Sequence, residues 1–163
     1  MDYNRLVKDT NGLTEAELLN KLNEHFIVTE TLEEPVQSIG VHHILMYINE
    51  KWYNLQAKES IINRGHPVES LDTHILSEYL LKTILGITSL KTGDRIDFIS
   101  GNKGMTGIKN KVDSGKFKIG FGLYPVSPKQ LKDVADANLI MPPKSTWIEP
   151  KLRSGLTIYP LND

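Results

Sequence analysis

The stretch Lys116-Phe-Lys-Ile-Gly-Phe-Gly-Leu-Tyr124 is the clearest strand pattern in the chain. Its apolar residues alternate onto one face, and period-two alternation predicts a strand with one buried face. The opposite face carries Gly120 and Gly122. Two glycines remove side-chain bulk, so we expect a helix, a backbone segment or a ligand to approach this face closely.

Upstream of this strand lies a second strand followed by a glycine-rich turn. Arg95–Ile99 alternates in the same way, and Gly101-Asn-Lys-Gly104-Met-Thr-Gly107 leads into a short helical pattern. Free backbone N–H groups at a helix start can hold an anion. The glycine spacing differs from that of dinucleotide-binding loops. The alternative is a tight turn that needs glycine for a positive φ.

The two strands are predicted to be parallel neighbours. A short helix between residues 95–99 and 116–124 suits a right-handed crossover. The glycine turn would then lie at the carboxyl end of its strand, where open sheets commonly bind ligands. If residues 141–156 reach the same edge, Lys144 and Arg153 would face the free N–H groups of the turn.

The remaining pattern predicts further helices and a hairpin. The first expected elements are a helix over Glu15–His25 with a capping box at Thr14, a short strand over Phe26–Thr29, and a hairpin of Ile39–Ile48 with Trp52–Ala57. A long helix capped by Asp72 and ended by Gly86 is expected next. A later helix begins at a second capping box at Ser127 and is expected to bury Leu131, Val134, Ala135 and Leu139, and a final strand is expected over Leu156–Tyr159. Met1–Lys8 is expected to be an extended lead segment.

This order of elements predicts the α+β class, or mixed α/β. We expect a single compact domain over residues 1–163, with a mixed sheet, a β-hairpin and about four helices.

Composition excludes several classes of protein. Lys+Arg 19 against Asp+Glu 20 gives a net charge of −1, so no global field attracts nucleic acid or an anionic membrane. The absence of cysteine excludes disulfides and thiolate metal sites. No apolar run has the length of a membrane helix, and the N-terminus lacks the charged-then-apolar pattern of a signal segment. The expected location is the cytoplasm.

The proline-rich stretch from Met141 to Leu156 is the predicted ligand site. Pro142, Pro143 and Pro150 stiffen it, and a rigid loop that presents cations and hydroxyls suits an anionic ligand. Together with the glycine turn, the candidate ligand-binding residues are Gly101, Gly104, Lys144, Ser145, Thr146, Lys151, Arg153 and Ser154. The alternative is that these cations are solvated or paired with carboxylates.

Two other kinds of site are not supported by the pattern. Lys144-Ser145-Thr146 is similar to the end of a phosphate-binding P-loop, but Pro142 and Pro143 stand where that loop needs backbone N–H groups. His42 and His43 are adjacent in a predicted strand and would face opposite sides, so no metal site is expected.

Several runs resemble a known family. They are Arg95-Ile-Asp-Phe-Ile-Ser-Gly101, Val112-Asp-Ser-Gly115, Val134-Ala-Asp136, Met141-Pro-Pro-Lys-Ser-Thr-Trp147 and Glu149-Pro-Lys-Leu-Arg-Ser-Gly155. They are similar to the C-terminal part of a large prokaryotic family of unknown function, numbered one-thousand-and-fifteen and labelled ParB-like. The resemblance extends from Asp2-Tyr-Asn-Arg5 onward.

The resemblance implies a larger protein. Full-length members carry an N-terminal Gly-His-His-Arg segment similar to ParB-type nucleotide-binding proteins and to free serine kinases of that fold. Here His42-His43 is followed by Ile44, so this segment is not present. The chain is therefore expected to be a C-terminal part whose partner is the missing N-terminal domain. The resemblance implies no particular reaction.

Three functions follow as hypotheses. In the first, the domain supplies a phosphate or nucleotide site to a small-molecule phosphotransferase, with Asp97 or Glu149 as the candidate that holds Mg²⁺ or accepts a proton. In the second, it is a non-catalytic interdomain or oligomerisation module anchored by Trp147 and Leu152. The third, DNA binding, fits poorly because the charge is balanced and no helix-turn-helix pattern is found.

Overall fold

A computed structural model of the chain describes residues 3–31, 33–90 and 94–146. One six-stranded sheet runs through these residues. Its strands are β1 (Tyr3–Val7), β2 (Phe26–Thr31), β3 (His43–Ile48), β4 (Lys51–Ala57), β5 (Ile96–Ser100) and β6 (Ile119–Gly122). Their spatial order is β2-β4-β3-β6-β1-β5, and each of the five pairings is antiparallel.

Helices cover both faces of the sheet. They are α1 (Glu15–His25), α2 (Asp72–Ile75) with a π-helical continuation over Leu76–Lys82, α3 (Gly104–Asp113) and α4 (Pro128–Asp136); short 3₁₀ turns occupy Glu59–Ile61 and Gly101–Lys103. The α+β class predicted from the sequence is confirmed.

Two apolar clusters hold the helices against the sheet. On one face, α1 and the α2 segment bury Leu18, Leu22 and Leu80 with Val7 and Phe121 of the sheet. On the other face, α3 buries its apolar side chains against the sheet; this cluster comprises Leu6, Leu45, Tyr47, Trp52, Met105, Ile108, Val112 and Phe117. The domain therefore has a three-layer cross-section, with β1 and β6 sandwiched at its centre.

Gly120 and Gly122 permit the close contact of α3 with the sheet. A Cβ at Gly120 would lie 2.1 Å from Ile108 Cγ2, and one at Gly122 would lie 2.5 Å from Met105 Sδ. Of the three occupants expected on this face, the helix is the one found.

The predicted parallel pairing is wrong. Strand β1 lies between β5 and β6 and pairs antiparallel with both. Strands β5 and β6 therefore run in the same direction but are not hydrogen-bonded to each other. The sheet is consequently antiparallel throughout the described residues and not mixed. Residues 3–7 were expected to be only an extended lead segment, yet all five are buried.

Three local predictions also need correction. Asp72 does not cap a helix as expected; it is the first residue of α2. Its carboxylate accepts a hydrogen bond from the backbone N–H of His42 at 2.8 Å. From Leu76 the helix widens into π turns, which leaves Leu76, Leu80 and Leu81 buried. In α4 only Val134 is buried, whereas Leu131 and Leu139 are 39% and 38% exposed.

The two predicted capping boxes are confirmed. Thr14 with Glu17 and Ser127 with Gln130 form reciprocal capping boxes at α1 and α4. The expected strand over 156–159 lies outside the described residues.

Candidate functional site

The glycine turn follows β5 and leads directly into α3. Gly101 begins the 3₁₀ turn, and Gly104 adopts φ +61° at the first residue of α3, a conformation that favours glycine. No side chain caps this helix start. Glu34 lies near the first turn, where its carboxylate accepts a hydrogen bond from the Thr106 hydroxyl at 3.1 Å.

Lys144 lies at the same end of the β1–β5 pair as the glycine turn. Its ammonium is 5.4 Å from the ring centroid of Tyr3 and 5.6 Å from that of Phe98. Tyr3 is paired with Ser100, the residue before Gly101. In the described part of the chain, no carboxylate forms an ion pair with Lys144, and the side chain is exposed.

Of the other candidate residues of the proline-rich segment, only Ser145 and Thr146 lie in the described residues. Ser145 is buried; its hydroxyl donates to the Pro142 carbonyl at 2.6 Å and lies 3.3 Å from the Thr73 hydroxyl. These bonds fix the loop to α2, and a ligand contact by Ser145 or by the half-buried Thr146 stays a prediction. Lys151, Arg153 and Ser154 lie outside the described residues, as do Trp147, Glu149 and Leu152.

A cleft of about 670 Å³ opens between the end of β5 and one side of α3. Its lining residues are Tyr3, Phe98, Ile99, Ser100, Lys103, Gly107, Asn110, Lys111 and Ser114. The two charged residues in this set are both lysines. The cleft thus combines aromatic rings, cationic groups and short polar side chains.

Neither lysine of the cleft forms an ion pair within the described ranges, and both side chains are exposed. Lys109, on another side of α3, differs. Its ammonium lies 2.6 Å from Asp113, whose other oxygen accepts from the Tyr47 hydroxyl at 2.8 Å. The Lys109 ammonium, followed by the Tyr47 hydroxyl, lowers the pKa of Asp113. Lys109 is therefore committed to the fold, whereas Lys103 and Lys111 are available to a ligand.

The sequence contains a periodic signal for the cleft that the predicted site did not include. Lys103, Gly107, Lys111 and Ser114 recur at intervals of three or four residues, which places them on one side of a helix. A Cβ at Gly107 would lie 2.6 Å from Lys103 Cβ and 3.2 Å from Ile99 Cδ1, so this glycine permits close packing with both residues. The predicted site was drawn from loops alone, so this helical side was overlooked.

Arg5 is a further functional candidate that sequence reasoning missed. Its side chain is fully buried on β1, where Nη1 donates to the Tyr3 carbonyl and the guanidinium carbon lies 5.5 Å from the Phe98 ring centroid. Nε and Nη2 have no hydrogen-bond partner among the described residues. Burial lowers the pKa of Arg5 to about 10. A single arginine in a five-residue strand offers no periodic signal.

Of the two candidate Mg²⁺ ligands, Asp97 lies in the described residues and Glu149 lies outside them. Asp97 is exposed and accepts a hydrogen bond from the Phe98 N–H at 2.8 Å. No group of three or more histidine, aspartate or glutamate side chains is placed to hold a metal within these ranges. His42 contacts the Ser70 carbonyl at 3.0 Å and His43 contacts Asn54 at 3.3 Å.

The helices of the described residues include none that is long and apolar enough to cross a membrane.

Comparison with known proteins gives one match. No curated protein and no solved structure matches the chain. Residues 1–74, fewer than half of the chain, match the model of a family described as a protein of unknown function (DUF1015). The matched part runs from β1 into α2, so it includes Tyr3 and Arg5, while the rest of the cleft lies beyond it. The similarity of this chain to a known family thus rests on residues 1–74 and the DUF1015 model.

Proposed function

We propose that the domain binds a phosphate-bearing small molecule, with a nucleotide as the leading candidate, in the cleft between β5 and α3. The observation that carries this proposal is the charge of the cleft: its charged lining residues are Lys103 and Lys111, and neither has an acidic partner in the described part of the chain. Exposed, unpaired cations can bind an anion without first breaking an ion pair.

The shape and chemistry of the cleft support this ligand class. Ligand pockets commonly have volumes of roughly 300–1,000 Å³, and this cleft has about 670 Å³. Tyr3 and Phe98 stack with ring centroids 5.6 Å apart and offer an apolar surface to a base. Ser100, Asn110 and Ser114 supply polar groups beside the lysines. Lys144 adds a third cation over the same rings.

The proposal extends to a larger protein. In it, the cleft is the anion site of a small-molecule phosphotransferase-like protein that an N-terminal ParB-like region completes, with Mg²⁺ accompanying the nucleotide. Tyr3 lines the cleft and begins β1. A domain that precedes β1 would therefore be tethered beside the cleft, where it could contribute the remaining groups of a site.

Isothermal titration tests the proposal directly. ADP, ATP and inorganic phosphate are titrated into the full-length protein, with and without Mg²⁺. We expect saturable binding that weakens at least tenfold in Lys103→Ala combined with Lys111→Ala, since about 1.4 kcal/mol corresponds to a factor of ten.

The control is Lys129→Ala combined with Lys132→Ala on α4. Both lysines are exposed and paired with Asp133 and Asp136, so this variant removes the same charge away from the cleft. If both double variants lose the same affinity, the effect comes from the loss of net positive charge and not from contacts in the cleft. The absence of saturable binding for all three ligands would refute the proposal.

A second candidate function is an interdomain or oligomerisation module. It is favoured by exposed apolar side chains that follow α4 and precede β3; Val36 is 90% exposed, Ile39 71% and Ile140 89%. Sedimentation velocity across a concentration series tests self-association. We expect a faster-sedimenting species that Val36→Ser with Ile39→Ser, or Ile140→Ser, abolishes. A single monomeric species in the parent protein contradicts this function.

A further inference from the structure

The Nε–Nη2 edge of Arg5 is a complete hydrogen-bonding edge that has no partner among the described residues. These two N–H groups point in the same direction and are spaced to donate two parallel hydrogen bonds to one carboxylate or phosphate group. Both atoms are buried, and neither has a hydrogen-bond partner in the described part of the chain. The third nitrogen is already used by the Tyr3 carbonyl.

The same edge is occupied in two other arginines of the chain. Arg95 donates from Nε at 2.8 Å and from Nη2 at 2.5 Å to the two oxygens of Asp9. Arg64 donates from Nε at 3.1 Å and from Nη2 at 2.7 Å to Glu59. Those two pairs lie on the surface, where water could replace the carboxylate. Arg5 is the buried case, in which an empty edge costs the most.

The surroundings of Arg5 add positive charge instead of compensating for it. Phe98 lies within 5.5 Å of the guanidinium and within 5.6 Å of the Lys144 ammonium, so two cations share one ring. Tyr3 lies beneath the same ammonium. A ring quadrupole offers partial compensation and no hydrogen-bond acceptors. The arrangement therefore needs an oxyanion.

We propose that Arg5 is the deep anchor of an oxyanion subsite, in which Nε and Nη2 hold a carboxylate or phosphoryl group of the ligand and Lys144 closes over it. This inference rests on the proposed function and deepens it, because it names the group of the ligand that enters and the residue that receives it. Lys103 and Lys111 then hold the outer part of the ligand.

Phe98 connects the subsite to the cleft. Phe98 lines the cleft, its ring centroid lies 5.5 Å from the Arg5 guanidinium carbon, and the residue is only half-buried. Rotation of the Phe98 side chain opens a path from the cleft to the guanidinium. The oxyanion replaces the ring beside Arg5, and the ring moves toward the solvent.

The first test observes Arg5 in the unaltered full-length protein. The Nε–Hε resonance of Arg5 is assigned from its loss in Arg5→Lys and is followed by ¹⁵N NMR during titration with inorganic phosphate and, separately, acetate. We expect a saturable shift of this resonance, while the resonances of Arg64 and Arg95, whose edges are occupied, stay in place. No shift at saturating phosphate overturns the subsite.

The second test uses two substitutions and reads stability together with affinity. Arg5→Lys keeps the charge but removes the double hydrogen bond, so we expect phosphate to bind at least tenfold more weakly. Arg5→Met removes an unpartnered buried charge, so its unfolding midpoint without phosphate should equal or exceed that of the parent. Phosphate should no longer raise the midpoint of Arg5→Met.

The two tests separate the sources of the oxyanion and the two proposals. If Arg5→Met lowers the midpoint and the Arg5 resonance ignores added phosphate, a carboxylate of the protein itself fills the edge, and the inference fails. If ADP still binds through Lys103 and Lys111 but with unchanged affinity in Arg5→Lys, the proposed function stands and the inference alone fails. A phosphate response at Arg5 without binding of ADP or ATP would support the oxyanion subsite and would rule out a nucleotide as the ligand.

Discussion

At the scale of single residues, Gly120 and Gly122 set the distance between α3 and the sheet. We expect Gly120→Ala to lower the free energy of unfolding by about 1–3 kcal/mol, because its Cβ would meet the stiff, β-branched Ile108 at 2.1 Å. Gly122→Ala should cost less, since it meets the sulfur of the flexible Met105 at 2.5 Å. Urea denaturation followed by circular dichroism measures both values.

Gly40→Ala is the matched control for this pair. A Cβ at Gly40 meets nothing within 4 Å, and its φ is not positive. Its effect should remain within about 0.5 kcal/mol. A similar loss in all three variants would mean that glycine flexibility, and not the approach of α3, is responsible.

Asp72 makes stability depend on pH near neutrality. Burial is the larger influence and raises the pKa of Asp72 to about 7, against the smaller lowering effect of the His42 N–H. The unfolded carboxyl loses its proton at about pH 4, so the folded state binds the extra proton between these values. The resulting stabilisation is complete below about pH 4 and is lost as pH rises through about 7.

Asp72→Asn should remove this dependence, because the amide oxygen can still accept from His42 without becoming charged. Urea denaturation at a series of pH values from about 5 to about 8 gives the slope. We expect the parent to lose stability across this range and the variant to stay level. Parallel pH profiles in the two proteins would contradict the assignment to Asp72.

At the scale of elements, the two capping boxes should behave differently. Thr14→Ala and Ser127→Ala each remove a cap worth about 1 kcal/mol. α1 buries Leu18 and Leu22, so the loss of the Thr14 cap should lower the global free energy of unfolding. α4 buries only Val134, so the loss of the Ser127 cap should appear as faster amide exchange within α4 alone. Hydrogen exchange with urea denaturation distinguishes these outcomes; equal global losses would show that α4 is integral to the core.

Elements that depend on local chemistry were predictable, and those that depend on distant partners were not. The caps are written within four residues, so Thr14 and Ser127 could be identified directly. Strand β1 has only five residues, two of which are Asn4 and Arg5, so its burial is invisible in a pattern of apolar residues. Its place between β5 and β6 is determined by pairings across about a hundred residues. The glycine turn and Lys144 stay predicted ligand-binding residues, whereas the cleft beside α3 depends on that long-range pairing of β1.

At the scale of the whole molecule, β1 is the strand that joins the two parts of the sheet. Leu6 packs under α3 and Val7 packs with the opposite cluster, so β1 stabilises both faces. Deletion of residues 1–7 should abolish cooperative unfolding, and Leu6→Ala should cost roughly 2–5 kcal/mol. Near-ultraviolet circular dichroism and urea denaturation report both effects. Leu139→Ala, at a side chain that is 38% exposed, is the control. A cooperative transition in the truncated protein would contradict the central role of β1.

The central position of β1 also constrains synthesis on the ribosome. Val7 is made more than a hundred residues before its partner Ile119. At typical rates of translation this interval lasts roughly ten seconds. For most of this interval β1 lacks both of its sheet partners, β5 and β6, whereas β2, β3 and β4 can pair with one another soon after they leave the exit tunnel. A holdase that shields apolar nascent segments would be needed most for β1 and least for β2, β3 and β4.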